Sequence, residues 1–525
     1  MTLNFKSFFT KYWLETAIGI GFTIISIFLN LQFLDGSNIN SKIAGHDEYI
    51  AVKEVYSILH PISIKHFIMS VICGNVLFYG RIMFYLDALL AFVPFKLWGV
   101  GGMVLTIRLV HAFLILISVY ILANTFLKDK LSKLVFYLSA FGLYYTLYFI
   151  MMPKPEPWQI FFLAVFLNRF KKSEWKFGTH FLFLGVAYGL KFNILLIMPL
   201  LFLLPVLKYG LKPTFMKGIG SFVYFLSGFL IAIPCLVLTP VKPMFLKTYL
   251  HETFGGTAKS YDNADTGVLN WMSEYGGAYF GFSYLSYVFI GLALLGLIYA
   301  IKHEIKLKSY SSTVLLLSGF ILFTAIVVLT KRTWPHYLWT AQLMLVLGLL
   351  ISIENKFLAQ LNSAVFYALI LMVSVSLFFY FTRELPLYSH LSTEKELIQT
   401  RNNSLKAIEY IKSRPGVKGY SKVGTDGTVL YPFEDFVKVD LYHPFASKLP
   451  EIQSTNFQWY WDFPDKIWND SNDYIVFNKN HPQKLLLKYP EKEFNVNLYE
   501  QFKSHENVDY ELDTFFGEIM VYSKK

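Results

Sequence analysis

Between residues 103 and 381 the chain alternates apolar runs with short, mostly basic connections. A helix needs about twenty apolar residues to cross a hydrocarbon core of about 30 Å, and this succession fits a bundle of membrane-spanning helices. The runs expected to span are 103–127, 131–151, 157–170, 177–190, 192–207, 218–239, 278–301, 311–330, 337–353 and 357–381, preceded by 13–34. Several of those between 157 and 207 are short for a bilayer, so they must sit upright, meet a thinned membrane or border a cavity. Composition agrees: 54% of the 525 residues are hydrophobic and only 16% charged, too apolar for an ordinary soluble protein.

The formal charge of +11 raises the question of nucleic acid, but a basic excess in a membrane protein is usually distributed by the positive-inside rule. Its placement follows that rule. Lys6 and Lys11 precede the first run, and basic groups recur at Lys128, Lys130 and Lys133, at Arg169, Lys171, Lys172 and Lys176, at Lys208, Lys212 and Lys217, and at Lys302, Lys306 and Lys308. These connections fall on one side if the two borderline runs 62–79 and 82–99 both cross or both do not. The expected fold is therefore a mostly α polytopic membrane protein of about eleven transmembrane helices in the cell membrane, amino end cytoplasmic, with no nucleic-acid partner. The first run lacks a small-residue cleavage site and reads as an uncleaved anchor.

The first outer loop is then 35–102. Within it, residues 49–59 have helical spacing suited to the membrane interface, stopped by Pro61, and 62–79 and 82–99 read as juxtamembrane helices. After Arg383 the composition turns polar. Residues 384–525 are expected to form an extracytoplasmic α/β domain, with a helix at 393–413 and strands at 473–477 and 517–522. Cys73 and Cys235 carry no ligand spacing, so neither a disulfide framework nor a cysteine metal site is expected.

Charges at the outer helix ends are the candidates for chemistry, because an ionised group beside hydrocarbon must be solvated, paired or functional. Asp47 and Glu48 follow His46 just beyond the first span; the alternative for them is a solvated loop. Glu156 stands in Met152-Pro-Lys-Pro-Glu-Pro-Trp158, where prolines stiffen the turn. Its alternatives are a pair with Lys154 or a cap on the helix starting at Pro157. Lys191 interrupts an apolar run, His251 and Glu252 open a polar loop, and Lys331-Arg-Thr-Trp-Pro-His-Tyr337 joins two spans. Interfacial snorkelling is the alternative for Lys331 and Arg332.

The acidic pair, the Tyr79-Gly-Arg81 and Arg108-Leu-Val-His-Ala112 segments, the Lys-Pro-Glu-Pro turn and Thr330-Lys-Arg-Thr-Trp-Pro-His-Tyr-Leu338 occur in order. This succession over residues 10–360 resembles the integral-membrane glycosyltransferases of the GT-C fold, within them the protein O-mannosyltransferase and aminoarabinose-transferase-like group. Lys154-Pro-Glu156 stands where that group usually carries Arg-Pro-Asp. The resemblance implies a polyprenyl-phosphate sugar donor and a glycan, lipid or protein acceptor, with Asp47 as catalytic base, Glu156 as second acid and Glu48 beside them. A departing phosphate needs cations rather than a general acid. Lys191, Arg332 and His336 are the candidates, with Lys331 and Arg81 behind them, and His46, His251, Glu252 and Tyr337 are assigned to the acceptor pocket. No cofactor is expected. A divalent cation at Asp47 and Glu48 is the less favoured alternative, because spacing names no further ligands. Two other function classes fit less well: a transporter or lipid flippase, and a non-catalytic glycan-binding member of the same fold.

Overall fold

The structure, a computed structural model, describes residues 5–30, 46–61, 64–72, 80–234, 283–329, 335–357, 367, 395–414, 422–425, 437–440, 473–479, 504 and 509–525. It is mostly helical. In chain order the helices are α1 (Phe5–Asn30), α2 (His46–Leu59), α3 (Ile64–Ile72), α4 (Arg81–Phe126), α5 (Lys130–Gly142), α6 (Tyr144–Met151), α7 (Glu156–Lys172) and α8 (Phe181–Leu190). They are followed by α9 (Met198–Tyr209), α10 (Leu211–Ala232), α11 (Ser283–Leu307), α12 (Ser311–Thr324), α13 (Trp339–Glu354) and α14 (Lys395–Ser413). Among the described residues, Trp13–Asn30, Arg81–Phe126, Leu211–Ala232 and Tyr287–Leu307 are long and apolar enough to cross a membrane. Shorter apolar helices are Phe181–Leu190, Asn193–Tyr209, Ser311–Val327 and Trp339–Glu354.

The expected segments 82–99 and 103–127 are not separate helices but the two arms of α4, which breaks at Gly99 (φ 62°, ψ −151°). The break is a reversal. His111 Nε2 lies 3.1 Å from Asp87 Oδ2, 24 residues away in sequence, a separation that a straight helix would stretch to about 36 Å. Gly99 supplies the left-handed φ that an L side chain resists. Gly102 completes the turn: a Cβ there would meet the Pro94 carbonyl oxygen at 2.6 Å. The arms bury Met83, Phe84, Ala88 and Ala91 in the same cluster as Met103, Val104, Ile107 and Leu114. Helix α2 was expected to lie in the interface, yet its apolar face, with Val52, Val55 and Tyr56 buried, joins this cluster and packs on α4.

The expected span 131–151 is also split. Leu143 adopts an extended conformation after Gly142 and separates α5 from α6. Thr146 then donates its hydroxyl to the Ala140 carbonyl at 2.5 Å and accepts from the fully buried Trp339 indole at 3.0 Å, tying the break to α13. Helices α8 and α10 meet across glycines. A Cβ at Gly185 or Gly228 would stand within about 2 Å of a facing backbone oxygen, so small residues alone permit this approach. Residues 192–207 begin as a 3-10 turn (Phe192–Ile197) before α9. The expected span 357–381 lies outside the described residues except Phe357 and Tyr367.

Beyond residue 395 a five-stranded sheet has order β2-β1-β3-β5-β4, with β1 (Lys422–Thr425), β2 (Val437–Asp440), β3 (Tyr474–Asn478), β4 (Tyr510–Phe516) and β5 (Ile519–Lys524). β1 pairs in parallel with β2 and β3, and β5 pairs antiparallel with β3 and β4. The expected strand 517–522 starts two residues late, because Gly517 (φ 62°) turns the β4–β5 hairpin. Helix α14 covers β4 and β5, burying Ala407, Ile408 and Ile411 with Val476, Ile519 and Val521.

Candidate functional site

Glu156 opens helix α7. Pro155 is its N-cap, Pro157 follows within the first turn, and no side chain caps this end. Proline costs nothing there, since its missing N–H belongs to the orphan donors of a helix start. An acid at that end also meets the positive pole of the helix dipole. The Glu156 side chain is buried, and its Oε1 accepts from Lys191 Nζ at the end of α8. Neither sequence alternative holds: the partner is not Lys154, and the carboxylate caps nothing. Glu156 Oε2 is buried with no hydrogen-bond partner among the described residues. By contrast Asp87, Glu304 and Glu354 use both oxygens, the last two on backbone N–H groups of Ser312 and Thr313 and of Lys128 and Asp129.

Lys191 is extended (φ −159°, ψ 137°) between α8 and the 3-10 turn. The Gln159 side-chain amide holds this break open, donating to the Ala187 carbonyl at 3.0 Å and to the Lys191 carbonyl at 2.6 Å. The stem of Lys191 is therefore fixed while its ammonium lies 4.4 Å from the Tyr337 ring centroid, a cation–π contact. Three of the residues singled out from sequence, Glu156, Lys191 and Tyr337, thus converge.

Arg81 is brought beside them by its neighbour. Gly80 donates its N–H to the Leu190 carbonyl at 3.3 Å, and a Cβ on Gly80 would meet the Gly189 oxygen at 2.6 Å. The Arg81 side chain itself is buried against Glu54 at 2.5 Å, with further contacts to the Ser70 carbonyl and the Phe84 ring. It already answers a carboxylate.

A second buried group adjoins the first. Asp87 Oδ1 accepts from the Trp158 indole N–H at 2.9 Å, and Oδ2 meets His111 Nε2 at 3.1 Å, so one carboxylate fastens both arms of α4 to the start of α7. One turn before His111, Arg108 donates to Asn30 Oδ1 at 3.2 Å and ties α1 to the same level. Sequence reasoning passed over Glu54, Asp87, His111 and Gln159. Their signal was present, since polar groups inside apolar runs are costly unless paired or functional, and Arg108 and His111 stood in a quoted segment without a role. Lys154 is buried beneath the Tyr148 ring at 5.7 Å.

Helix α2 begins at His46, so His46, Asp47 and Glu48 lie in its first turn, their side chains outside what the structure describes. The same holds for His336 in the 3-10 turn Pro335–Leu338. Lys331, Arg332, His251 and Glu252 lie outside the described residues. Among the described residues no three His, Cys, Asp or Glu side chains cluster as metal ligands.

No family model matches the chain. No curated protein sequence matches it either. Solved structures do. ArnT from Cupriavidus metallidurans bound to undecaprenyl phosphate superposes with a TM-score of 0.54 over 97% of this chain and 98% of that one, at 13% identity. The same protein in the apo state gives 0.52 over 94% and 97%, at 11% identity. The Archaeoglobus fulgidus oligosaccharyltransferase tethered to an acceptor peptide gives 0.50 over 94% of this chain and 72% of that one, at 14% identity. The chain has the GT-C fold. Near-complete coverage of ArnT at this low identity is a likeness of architecture, and it makes the start of α7 and the end of α8 parts of a GT-C scaffold rather than of an unrelated bundle.

Proposed function

We propose that this GT-C protein transfers a sugar, hexosyl or pentosyl, from a polyprenyl-phosphate donor to a hydroxyl of a lipid, glycan or protein acceptor on the outer face of the cell membrane. The observation that carries the reading is the buried Glu156–Lys191 pair against Tyr337, with one carboxylate oxygen unused, in a chain of this fold. A cation fixed at a helix end suits a phosphate at headgroup level. Its class is supported by the ArnT neighbour, which is bound to undecaprenyl phosphate. The acceptor side is supported by the oligosaccharyltransferase neighbour, tethered to a peptide.

In this scheme Asp47 takes the acceptor proton and Glu48 orients it. The acceptor oxygen bonds to the anomeric carbon, and the bond from that carbon to the phosphate oxygen breaks with its electron pair left on the phosphate. Lys191, Arg332 and His336 meet the phosphate, with Lys331 beside them, and His46, His251, Glu252 and Tyr337 line the acceptor side. Arg81 serves from behind, through its pair with Glu54 and the Gly80 contact to Leu190. In this reading residues 1–383 lie in the membrane with about eleven spans and the amino end cytoplasmic, and residues 384–525 lie outside. The test is Asp47→Asn, nearly isosteric and lacking only the basic oxygen. It should slow transfer at least about a hundredfold while donor still binds; wild-type turnover would overturn the assignment of the base.

A further inference from the structure

The pair at the centre of the site sets a problem for the reaction just described. Transfer converts a phosphodiester donor of charge −1 into a polyprenyl phosphate monoester of about −1.5 to −2. The proton leaves with the base, and the extra negative charge is the electron pair of the broken bond, so it stays on the phosphate. A site built only of cations would hold that product more tightly than its substrate, and turnover would stall on release.

We propose that Glu156 is a built-in competitor for Lys191 that returns the ammonium to a protein carboxylate and so expels the polyprenyl phosphate product. The inference rests on the lipid-phosphate donor class proposed above. Four observations carry it. The Lys191 side chain keeps one tenth of its exposure while the Glu156 side chain is sealed to 1%, so of the two partners the lysine is the more accessible to an arriving anion. The backbone of Lys191 is pinned by Gln159 through its carbonyl, which leaves the side-chain tip as the part that moves between partners. The Tyr337 ring at 4.4 Å faces the ammonium and stabilises it in either pairing. Finally, Glu156 Oε2 has no hydrogen-bond partner among the described residues, so this carboxylate is held below its full complement of donors. Asp87, Glu304 and Glu354, by contrast, use both oxygens.

Repulsion between Glu156 and a bound phosphate grows with the charge of the phosphate, so the competitor discriminates against product over donor. Lysine suits this exchange better than arginine, whose fork would hold two phosphate oxygens at once.

The experiment is equilibrium binding of two lipids to the full-length protein in nanodiscs: a short-chain polyprenyl phosphate and its methyl phosphodiester. Glu156→Gln should bind the monoester at least about tenfold tighter than wild type and the diester by a smaller factor. Glu156→Asp, which keeps the charge, should not tighten either. Lys191→Met should lose affinity for both, and because it leaves a buried carboxylate unpaired, the double variant Glu156→Gln/Lys191→Met serves as its folded control. That double variant should melt like wild type and bind as weakly as Lys191→Met. Monoester affinity in Glu156→Gln equal to or below wild type overturns the inference, as does equal tightening of both lipids. Failure of wild type to bind either lipid would instead overturn the donor class on which it rests.

Discussion

Asp87 shows what a single carboxylate does in this bundle. It answers the indole of Trp158 and the imidazole of His111, so its loss orphans two buried donors at once, each worth about 1–3 kcal/mol. Asp87→Leu should therefore lower the melting temperature sharply. Asp87→Asn should cost less, because Oδ1 still accepts from Trp158 and one buried donor is lost instead of two: if the amide donates to His111 Nε2, the ring proton moves to Nδ1, which has no partner among the described residues. Equal melting of the two variants would show that the hydrogen bonds do not carry this contact. Ionisable groups at the ends of apolar runs, such as Glu156 and Lys191, are visible in the sequence, but their partners are not. Lys154 is two positions from Glu156 yet lies under Tyr148, while Lys191, 35 residues away, makes the pair. That choice is made by how α7 and α8 pack, which no local spacing encodes. Asp87 interrupts the apolar run 82–99, and only the reversal of α4 reveals why it is tolerated.

At the scale of elements, hydropathy gave the apolar segments but not their continuity. Runs of apolar residues look alike whether a helix continues, breaks at Leu143 or folds back at Gly99, because hydropathy registers side chains and not the backbone hydrogen bonds that a break interrupts. The reversal was written in Gly99-Val-Gly-Gly102, whose glycines allow the positive φ and the approach to Pro94. Spin labels at Leu90 and Phe113, both exposed, test it directly. A continuous helix would hold the two backbones about 35 Å apart, whereas the hairpin predicts a separation well below that. Gly99→Ala should cost about 1–3 kcal/mol, the strain of a side chain in a region that essentially glycine alone adopts, with no added clash because a Cβ there meets nothing within 4 Å. A wild-type melting curve for Gly99→Ala would show that the turn does not need its positive φ.

For the whole molecule, the helical architecture and the likeness to GT-C proteins were legible from the order of motifs along the chain, even though each motif is short. The C-terminal sheet was legible only in its central strands, since the hairpin at Gly517 turns on one backbone dihedral. Interior residues of this unit, Ala407, Ile408, Ile411, Val476, Ile519 and Val521, fall in the same buried cluster as α2 and both arms of α4. The proposal that residues 384–525 lie on the same side as the first outer loop requires such continuity. A reporter active only in the cytoplasm, fused after Lys525, should accordingly be silent; a bright one would reverse the topology and put the site on the other face.

The proposed reaction moves a sugar from a lipid phosphate. The direct measurement is to incubate the purified protein in nanodiscs with a panel of polyprenyl-phosphate sugars, each with the acceptor classes in turn, and to follow free polyprenyl phosphate and glycosylated acceptor. Polyprenyl phosphate should be released with at least one donor, and at least about a hundredfold less should be released by Asp47→Asn. Turnover of nucleotide sugars with none of the lipid-linked donors consumed would contradict the proposed reaction.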